Sequence, residues 1–176
     1  ILPRINLVKN IDNKTNLNGN FTFKSEALVR NYNTNVHERT NTNDLIFKSY
    51  PKITSNGFYN NYEFLIKNSN TSNKKSTYKN TDNIYLSSIF QYNSFLPLIK
   101  ENENYLKILK PKFSLKLAPP HTKDSRNSDT KIDLSNVYSI NRLSDETTEG
   151  GLSITYGSDY SIFDNKKSNE IFNLKL

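Results

Sequence analysis

The chain contains no cysteine, methionine or tryptophan, and it has only two histidines. Without cysteine it forms no disulfide, thiolate zinc site or iron–sulfur cluster, and it has no cysteine nucleophile. The histidines, His37 and His121, are far apart in the sequence, and neither lies in a recognisable catalytic motif. The sequence therefore predicts a protein that is not an enzyme and that has no catalytic residue, cofactor or metal site.

Apolar residues are also scarce, at 34% of the chain against about 45–50% in typical soluble domains. No apolar run reaches the roughly 18 residues that a transmembrane helix needs. Asparagine alone accounts for 28 of the 176 residues. Disorder is nevertheless not expected, because 11 Tyr and 10 Phe are too many for a chain that buries no apolar surface. The chain begins with Ile1 and not Met, so we expect it to be a piece of a longer protein.

The formal net charge is +7, which is compatible with nucleic acid, anionic lipid or phosphate-bearing partners. The lysines occur singly or in pairs, as at Lys74–Lys75 and Lys166–Lys167, with no dense basic run. Such a spread is also typical of ordinary solvated surfaces.

Alternation of apolar and polar residues is the main structural signal. It is clearest over residues 110–117, where Phe113, Leu115 and Leu117 share one parity and lysines dominate the other. Similar alternation covers residues 20–29, 44–54, 58–67 and 152–162. Weaker strand patterns cover residues 4–10, 84–92, 132–140 and 170–176. We therefore expect about nine strands.

The connections between these strands differ in length. Residues 13–19, 55–57 and 164–168 have the composition of tight turns. Residues 31–43, 68–83 and 121–130 are long and polar, and we expect them to be loops. Short turns alternating with long loops between strands of about ten residues are typical of outer-membrane barrels. Low mean hydropathy with clear alternation also favours an outer-membrane barrel, because a barrel has polar residues in both its lumen and its loops.

The predicted fold is therefore all-β. It is an antiparallel meander that forms part of a large outer-membrane β-barrel, as an open, curved sheet of about nine strands. A soluble sandwich would show shorter strands and more even connections.

One part of the chain resembles a known family. Residues 110–119 end in an Ala-Pro step, and Asn141, Arg142 and Asp145 follow, then Glu149-Gly150-Gly151 and Tyr156-Gly157. This series is similar to one in the LPS-assembly outer-membrane protein family (LptD, OstA-type). The chain departs from the family pattern at Ser144 and Glu146, which flank Asp145.

The resemblance implies that residues 1–176 are a partial barrel domain that lacks the periplasmic jellyroll and the terminal barrel strands. It implies a non-enzymatic role in carrying lipopolysaccharide to the outer leaflet of the cell outer membrane. The implied partners are lipopolysaccharide, a plug lipoprotein of the LptE type, the periplasmic LPS-transport bridge and outer-membrane lipid, with no nucleic acid.

The residues also suggest contacts within such a barrel. Lys110, Lys112 and Lys116 share one parity, so in a barrel they project into the lumen, either as contacts for anionic lipopolysaccharide or as solvated lumen residues. Arg142 is expected to pair with Asp145 or Glu149, to order a loop or to contact ligand. Gly150 and Gly151 fit a turn or a strand start better than a phosphate-binding loop.

Two other functions remain open. The chain could belong to another outer-membrane barrel, such as a porin or a receptor-type channel. It could also be a basic all-β nucleic-acid-binding module, although such a module places aromatic residues and lysines on one face, whereas here they fall mainly on opposite parities.

Overall fold

A computed structural model describes residues 3–13, 15–31, 37–74, 83–120, 131–143, 148–166 and 169–176. These residues form one open antiparallel sheet of ten strands. The strands are β1 (Arg4–Ile11), β2 (Gly19–Asn31), β3 (His37–Ser49), β4 (Lys52–Ile53), β5 (Tyr59–Lys74), β6 (Asn83–Phe95), β7 (Leu98–Glu101), β8 (Tyr105–Ala118), β9 (Gly151–Asp164) and β10 (Asn169–Lys175). Their order is β1-β2-β3-β5-β6-β8-β9-β10, with β4 beside β5 and β7 beside β8. The predicted all-β antiparallel meander is confirmed, with ten strands instead of about nine.

The described residues include no helix, so none that could cross a membrane. The sheet is not closed, since β1 and β10 lie at its two edges and do not pair with each other.

Two of the ten strands are short because proline interrupts a longer one. Pro51 separates β3 from β4, and Pro97 separates β6 from β7. Proline has no N–H to donate to the ladder, so it ends regular pairing at these points. The single strand predicted over residues 44–54 is therefore two strands. The reversal after β4 closes through Gly57, whose φ of 81° is in the left-handed region that favours glycine.

A row of apolar side chains crosses one face of the sheet. Directly paired residues place it on seven strands in the order Ile11, Phe21, Phe47, Phe64, Phe90, Leu117 and Leu152. The rings of Phe21 and Phe47 are 4.7 Å apart, which is within the range for favourable aromatic pairs. We call this side of the sheet the apolar face. Phe113, Leu115 and Leu117 lie on it, as the alternation of β8 predicts.

The opposite side, which we call the polar face, carries a matching polar row. Its paired residues are Asn20, Lys48, Glu63, Gln91, Lys116 and Ser153. On β8 the polar face is more buried than the apolar face. Ser114 and Lys116 are each 3% exposed, whereas their neighbours Phe113 and Leu117 are 38% and 45% exposed. The covered side of β8 is therefore the polar one.

The described parts of two predicted loops are strand. The polar segments 31–43 and 68–83 contain the start of β3 and the end of β5, which pair with each other from His37 with Lys74 onwards. Both faces are polar here, because asparagine, serine and threonine occupy 10 of the 14 positions in residues 37–43 and 68–74, and the other four are His37, Glu38, Arg39 and Lys74. Backbone pairing with both neighbouring strands continues the ladder without apolar side chains. The segment 121–130, also predicted as a loop, lies outside the described residues.

The strand predicted over residues 132–140 is wrong. This segment consists of turns, and its side chains bond to its own backbone. The Asp133 carboxylate accepts the Ser135 N–H at 2.7 Å, and Asn136 Nδ2 donates to the Lys131 carbonyl at 2.7 Å. Such local bonds compete with strand pairing, so the alternation of Ile132 and Leu134 does not lead to a strand.

Candidate functional site on the polar face

Ion pairs cross the polar face between neighbouring strands. They join Arg4 to Glu26 (2.9 Å), Arg30 to Glu38 (3.4 Å), Lys67 to Asp44 (2.8 Å), Lys48 to Glu63 (3.0 Å) and Lys112 to Asp159. Lys67 is fully buried, so its ammonium group depends on Asp44 for compensation. These contacts make the face strongly charged, with cations and anions interleaved.

Part of the connection between β8 and β9 lies against this face. We call residues 131–143 and 148–150 the inner loop. Three hydrogen bonds join it to two strands, β6 and β8: Gln91 Nε2 donates to the Tyr138 carbonyl (2.7 Å), Lys116 Nζ donates to the Ser139 carbonyl (2.8 Å), and the hydroxyls of Tyr85 and Thr148 are 2.7 Å apart. The inner loop therefore covers polar residues of β6 and β8.

Hydrogen bonds and burial within the inner loop shift the pKa values of Asp133 and Tyr138. Hydrogen bonds from the Ser135 hydroxyl and N–H hold the pKa of Asp133 below its ordinary value. Burial, and then the negative charge of Asp159, raise the pKa of Tyr138 above its ordinary value. The ammonium group of Lys112 lies 5.4 Å from the centre of the Tyr138 ring.

Arg142 is the most connected residue of the inner loop. It is 5% exposed, and its guanidinium group binds the Glu149 carboxylate through both Nε (2.7 Å) and Nη2. Nη2 also donates to Ser153 Oγ (2.7 Å), and Nη1 to the Val137 carbonyl (3.3 Å). A planar guanidinium suits such a two-point contact with a carboxylate. Arg142 thus joins both described parts of the inner loop to β9.

The prediction that Arg142 pairs with Asp145 or Glu149 is confirmed for Glu149. Asp145 and its neighbours Ser144 and Glu146 lie outside the described residues. Asn141 lies half-buried in the inner loop, directly before Arg142.

The three lysines predicted to share one side do lie on the polar face, in different surroundings. Lys110 lies over the ring of Phe95 at 4.1 Å, and Lys112 pairs with Asp159. Lys116 is beneath the inner loop, 3.7 Å from the Glu149 carboxylate. They are therefore not a uniform basic stripe, since each has its own partner.

The glycines of the predicted series have two separate structural roles. Gly151 is the first residue of β9 with φ of 98°, so the strand-start interpretation is confirmed, and Gly150 is the exposed residue before it. Gly157 is extended and lies under the inner loop. A Cβ atom there would be 2.6 Å from the Tyr138 hydroxyl and in closer conflict with the Leu176 carbonyl.

We expect Gly157→Ala to destabilise the chain by about 1–3 kcal/mol, because the added methyl group overlaps both neighbours. Chemical unfolding followed by circular dichroism measures the change. Gly150→Ala is the matched control, since Gly150 is exposed. Adding Tyr138→Phe should recover part of the lost stability, because it removes the hydroxyl that the new methyl group overlaps. A Gly157→Ala chain as stable as the Gly150→Ala control would contradict the close packing at Gly157.

Sequence reasoning missed Gln91, Tyr85 and Thr148 as partners of the inner loop. The Gln91 contact joins residues 47 positions apart, and the Tyr85 contact joins residues 63 apart. Alternation places Gln91 on the polar parity of β6, but it does not indicate which segment covers that face.

Across the described ranges, no group of three or more His, Cys, Asp or Glu side chains is placed to hold a metal ion. Comparison with protein-family models, curated proteins and solved structures found no match to this chain.

Proposed function

We propose that the sheet is part of the wall of a large outer-membrane β-barrel that passes lipopolysaccharide to the outer leaflet. In this arrangement the apolar face contacts lipid and the polar face lines the passage. The observation that carries the proposal is the burial pattern of the two faces. The inner loop covers charged and hydroxyl side chains, while Phe47 is the one buried residue among the seven of the apolar row.

Water disfavours this burial pattern. Fully burying a large apolar side chain is worth about 1.5–3 kcal/mol, so a soluble sheet places its covering segment over the apolar side. Here Leu152, Ile154 and Tyr156 are 66%, 60% and 85% exposed along β9. Only Phe47, Leu65 and Ile89 are buried apolar residues within the described ranges, and Leu65 and Ile89 lie on the polar face. Contact with lipid chains would supply the missing apolar environment.

The edges of the sheet also support the proposal. All residues of β1 and β10 are exposed, and each strand has one neighbour in the described part of the chain. Open strand edges are poorly tolerated in lipid because their N–H and C=O groups have no water to bind. In a membrane, further strands beside β1 and β10 would satisfy them.

The lipopolysaccharide part of the proposal comes from the resemblance of the series around Arg142, Glu149 and Gly157. The same resemblance implies a plug lipoprotein and a periplasmic LPS-transport bridge as partners. A porin or receptor-type channel is the alternative function, since it would have the same lipid-facing barrel wall. A nucleic-acid-binding module is disfavoured, because the row of phenylalanines and the row with Lys48 and Lys116 lie on opposite faces.

Single-cysteine spin labels test the placement of the two faces, and residues 1–176 contain no native cysteine that would compete for the label. In outer membranes containing the gene product, labels at Ile154 and Tyr156 should be accessible to oxygen and protected from a water-soluble nickel reagent. Labels at Thr22 and Lys24, on the polar face, should show the reverse. Equal access of the nickel reagent to both faces would refute the lipid-facing wall.

A second experiment separates lipopolysaccharide assembly from a general channel. Depleting the gene product should lower lipopolysaccharide at the cell surface, and a photo-crosslinker at Thr22 should capture lipopolysaccharide. The same crosslinker at Ile154 should capture phospholipid. Normal surface lipopolysaccharide after depletion, with the wall confirmed by spin labels, would favour the porin or receptor-type alternative.

A further inference from the structure

Two buried cations meet one carboxylate beneath the inner loop. Arg142 and Lys116 are 5% and 3% exposed, and both contact Glu149, Arg142 at two points and Lys116 at 3.7 Å. Among the described residues, Glu149 is the carboxylate that these two cations share. Glu63 also acts on Lys116, but it is already paired with Lys48 at 3.0 Å, so the two buried cations are only partly compensated by the carboxylate they share.

The donors around the Glu149 carboxylate form a built anion site. The guanidinium offers Nε and Nη2 in a fixed plane, and the Lys116 ammonium approaches from β8. The Ser153 hydroxyl accepts from Nη2 at 2.7 Å and the Thr155 hydroxyl accepts from Nη1 at 3.4 Å, and these bonds hold the guanidinium in place. The same fork geometry binds phosphate as well as carboxylate. A phosphate carries about −1.5 to −2 charges at neutral pH, which matches two cations better than one carboxylate does.

Glu149 is also well placed to leave this site. It belongs to the inner loop, and Gly150 separates it from Gly151, the first residue of β9, which pairs with Ala118. No heavy atom lies within 4 Å of a Cβ built on Gly151, so space is open around this point. The carboxylate can therefore move without shifting β8 or β9, which hold Lys116 and Ser153.

We propose that Glu149 occupies an anion-binding site formed by Arg142 and Lys116, and that a phosphate group of the transported molecule displaces it and releases the inner loop from the polar face. The inference rests on the proposed function for the identity of the transported molecule. The anion site itself depends only on the contacts of the three side chains. Release of the loop would uncover the polar residues of β6 and β8.

Ser114→Cys provides a reporter of release. Ser114 is 3% exposed on the polar face of β8, between Lys112 and Lys116, and both of these lysines contact the inner loop. A maleimide should label this cysteine only when the loop has left. Asn20→Cys, exposed on the same face, corrects for general reagent access.

The first arm removes the internal anion. In the detergent-solubilised full chain, Glu149→Gln should raise the labelling rate at position 114 about 10- to 100-fold, because a charge-assisted contact is lost while the side-chain shape is kept. Glu26→Gln, which removes a carboxylate paired with Arg4 elsewhere on the polar face, should leave the rate unchanged. An unchanged rate in Glu149→Gln would overturn the proposal.

The second arm adds the external anion to the chain carrying native Glu149. Micelles containing phosphorylated lipid A should accelerate labelling at position 114, and micelles containing lipid A stripped of its phosphates should not. Arg142→Lys should weaken the response, because an ammonium group lacks the two-point fork. Equal rates with both lipids would overturn displacement by phosphate.

Inorganic phosphate alone distinguishes the source of the anion. Acceleration by inorganic phosphate equal to that by phosphorylated lipid A supports the anion site and assigns it to free phosphate. These measurements need no membrane insertion, so they are independent of the spin-label result. A phosphate response without a lipid-facing wall would retain the anion site and reject the proposed function.

Discussion

Replacing Ile154 with lysine is expected to destabilise the membrane-embedded protein by about 2–4 kcal/mol, the cost of a cation near the middle of a lipid-facing barrel wall. Ile154 is 60% exposed on the apolar face, paired with Leu115 of β8. In water the same change at an exposed position would alter stability by only about 0.5 kcal/mol. Urea unfolding of the gene product in lipid vesicles, followed by circular dichroism, gives the value.

Asn20→Lys is the matched control for this prediction. Asn20 is exposed on the polar face, and its side chain accepts a hydrogen bond from the Tyr50 hydroxyl. We expect a loss of no more than about 1 kcal/mol, because a lysine there would face water, although directly opposite Lys48. Equal effects of the two lysines would mean that the faces meet the same solvent.

Replacing Arg142 with methionine should detach the inner loop while the sheet stays folded. Removing one member of a buried ion pair typically costs about 3–5 kcal/mol, because the other charge remains without compensation. Glu149 would keep only Lys116, at 3.7 Å. The loss should appear as local opening, measured by faster hydrogen exchange in residues 131–143 and unchanged exchange in β2, β3 and β5.

A variant of an exposed ion pair and a double variant control this result. Arg4→Met breaks the pair with Glu26, where the arginine side chain is 60% exposed, and should cost only about 0–1 kcal/mol. Combining Arg142→Met with Glu149→Gln should not recover the loss, because it also removes the carboxylate 3.7 Å from the buried Lys116. A double variant more stable than Arg142→Met would show that the contact between Lys116 and Glu149 does not hold the loop.

The alternation in the sequence predicts the central part of the sheet well. Phe113 and Lys112 fall on opposite faces as the period of two requires, and the order of the main strands follows from chain order in a meander. Alternation does not reveal a strand where both faces of the sheet are polar. Asn41 and Asn70 look like loop residues, yet they are direct partners in β3 and β5 because the backbone ladder holds them.

The candidate site was only partly visible in the sequence. Arg142 and Glu149 are seven positions apart, so their pairing was a local prediction that the structure confirms. The fold of residues 132–140 over the polar face was not predicted, because it depends on Gln91 and Lys116 from distant strands. Apolar alternation at Ile132 and Leu134 pointed to a strand, but bonds from Asp133 and Asn136 to nearby backbone favour turns.

The polar ends of β3 and β5 give the proposed wall an unequal height. β5 has 16 residues, which span about 54 Å at about 3.4 Å per residue, whereas the lipid-facing band of a barrel is about 25 Å tall. The apolar row crosses β5 near its beginning, at Phe64, so most of the surplus lies towards Lys74. In the proposed barrel this surplus would stand clear of the bilayer as a polar collar. A macromolecule that approaches this end of the proposed barrel would then meet paired strands of polar residues.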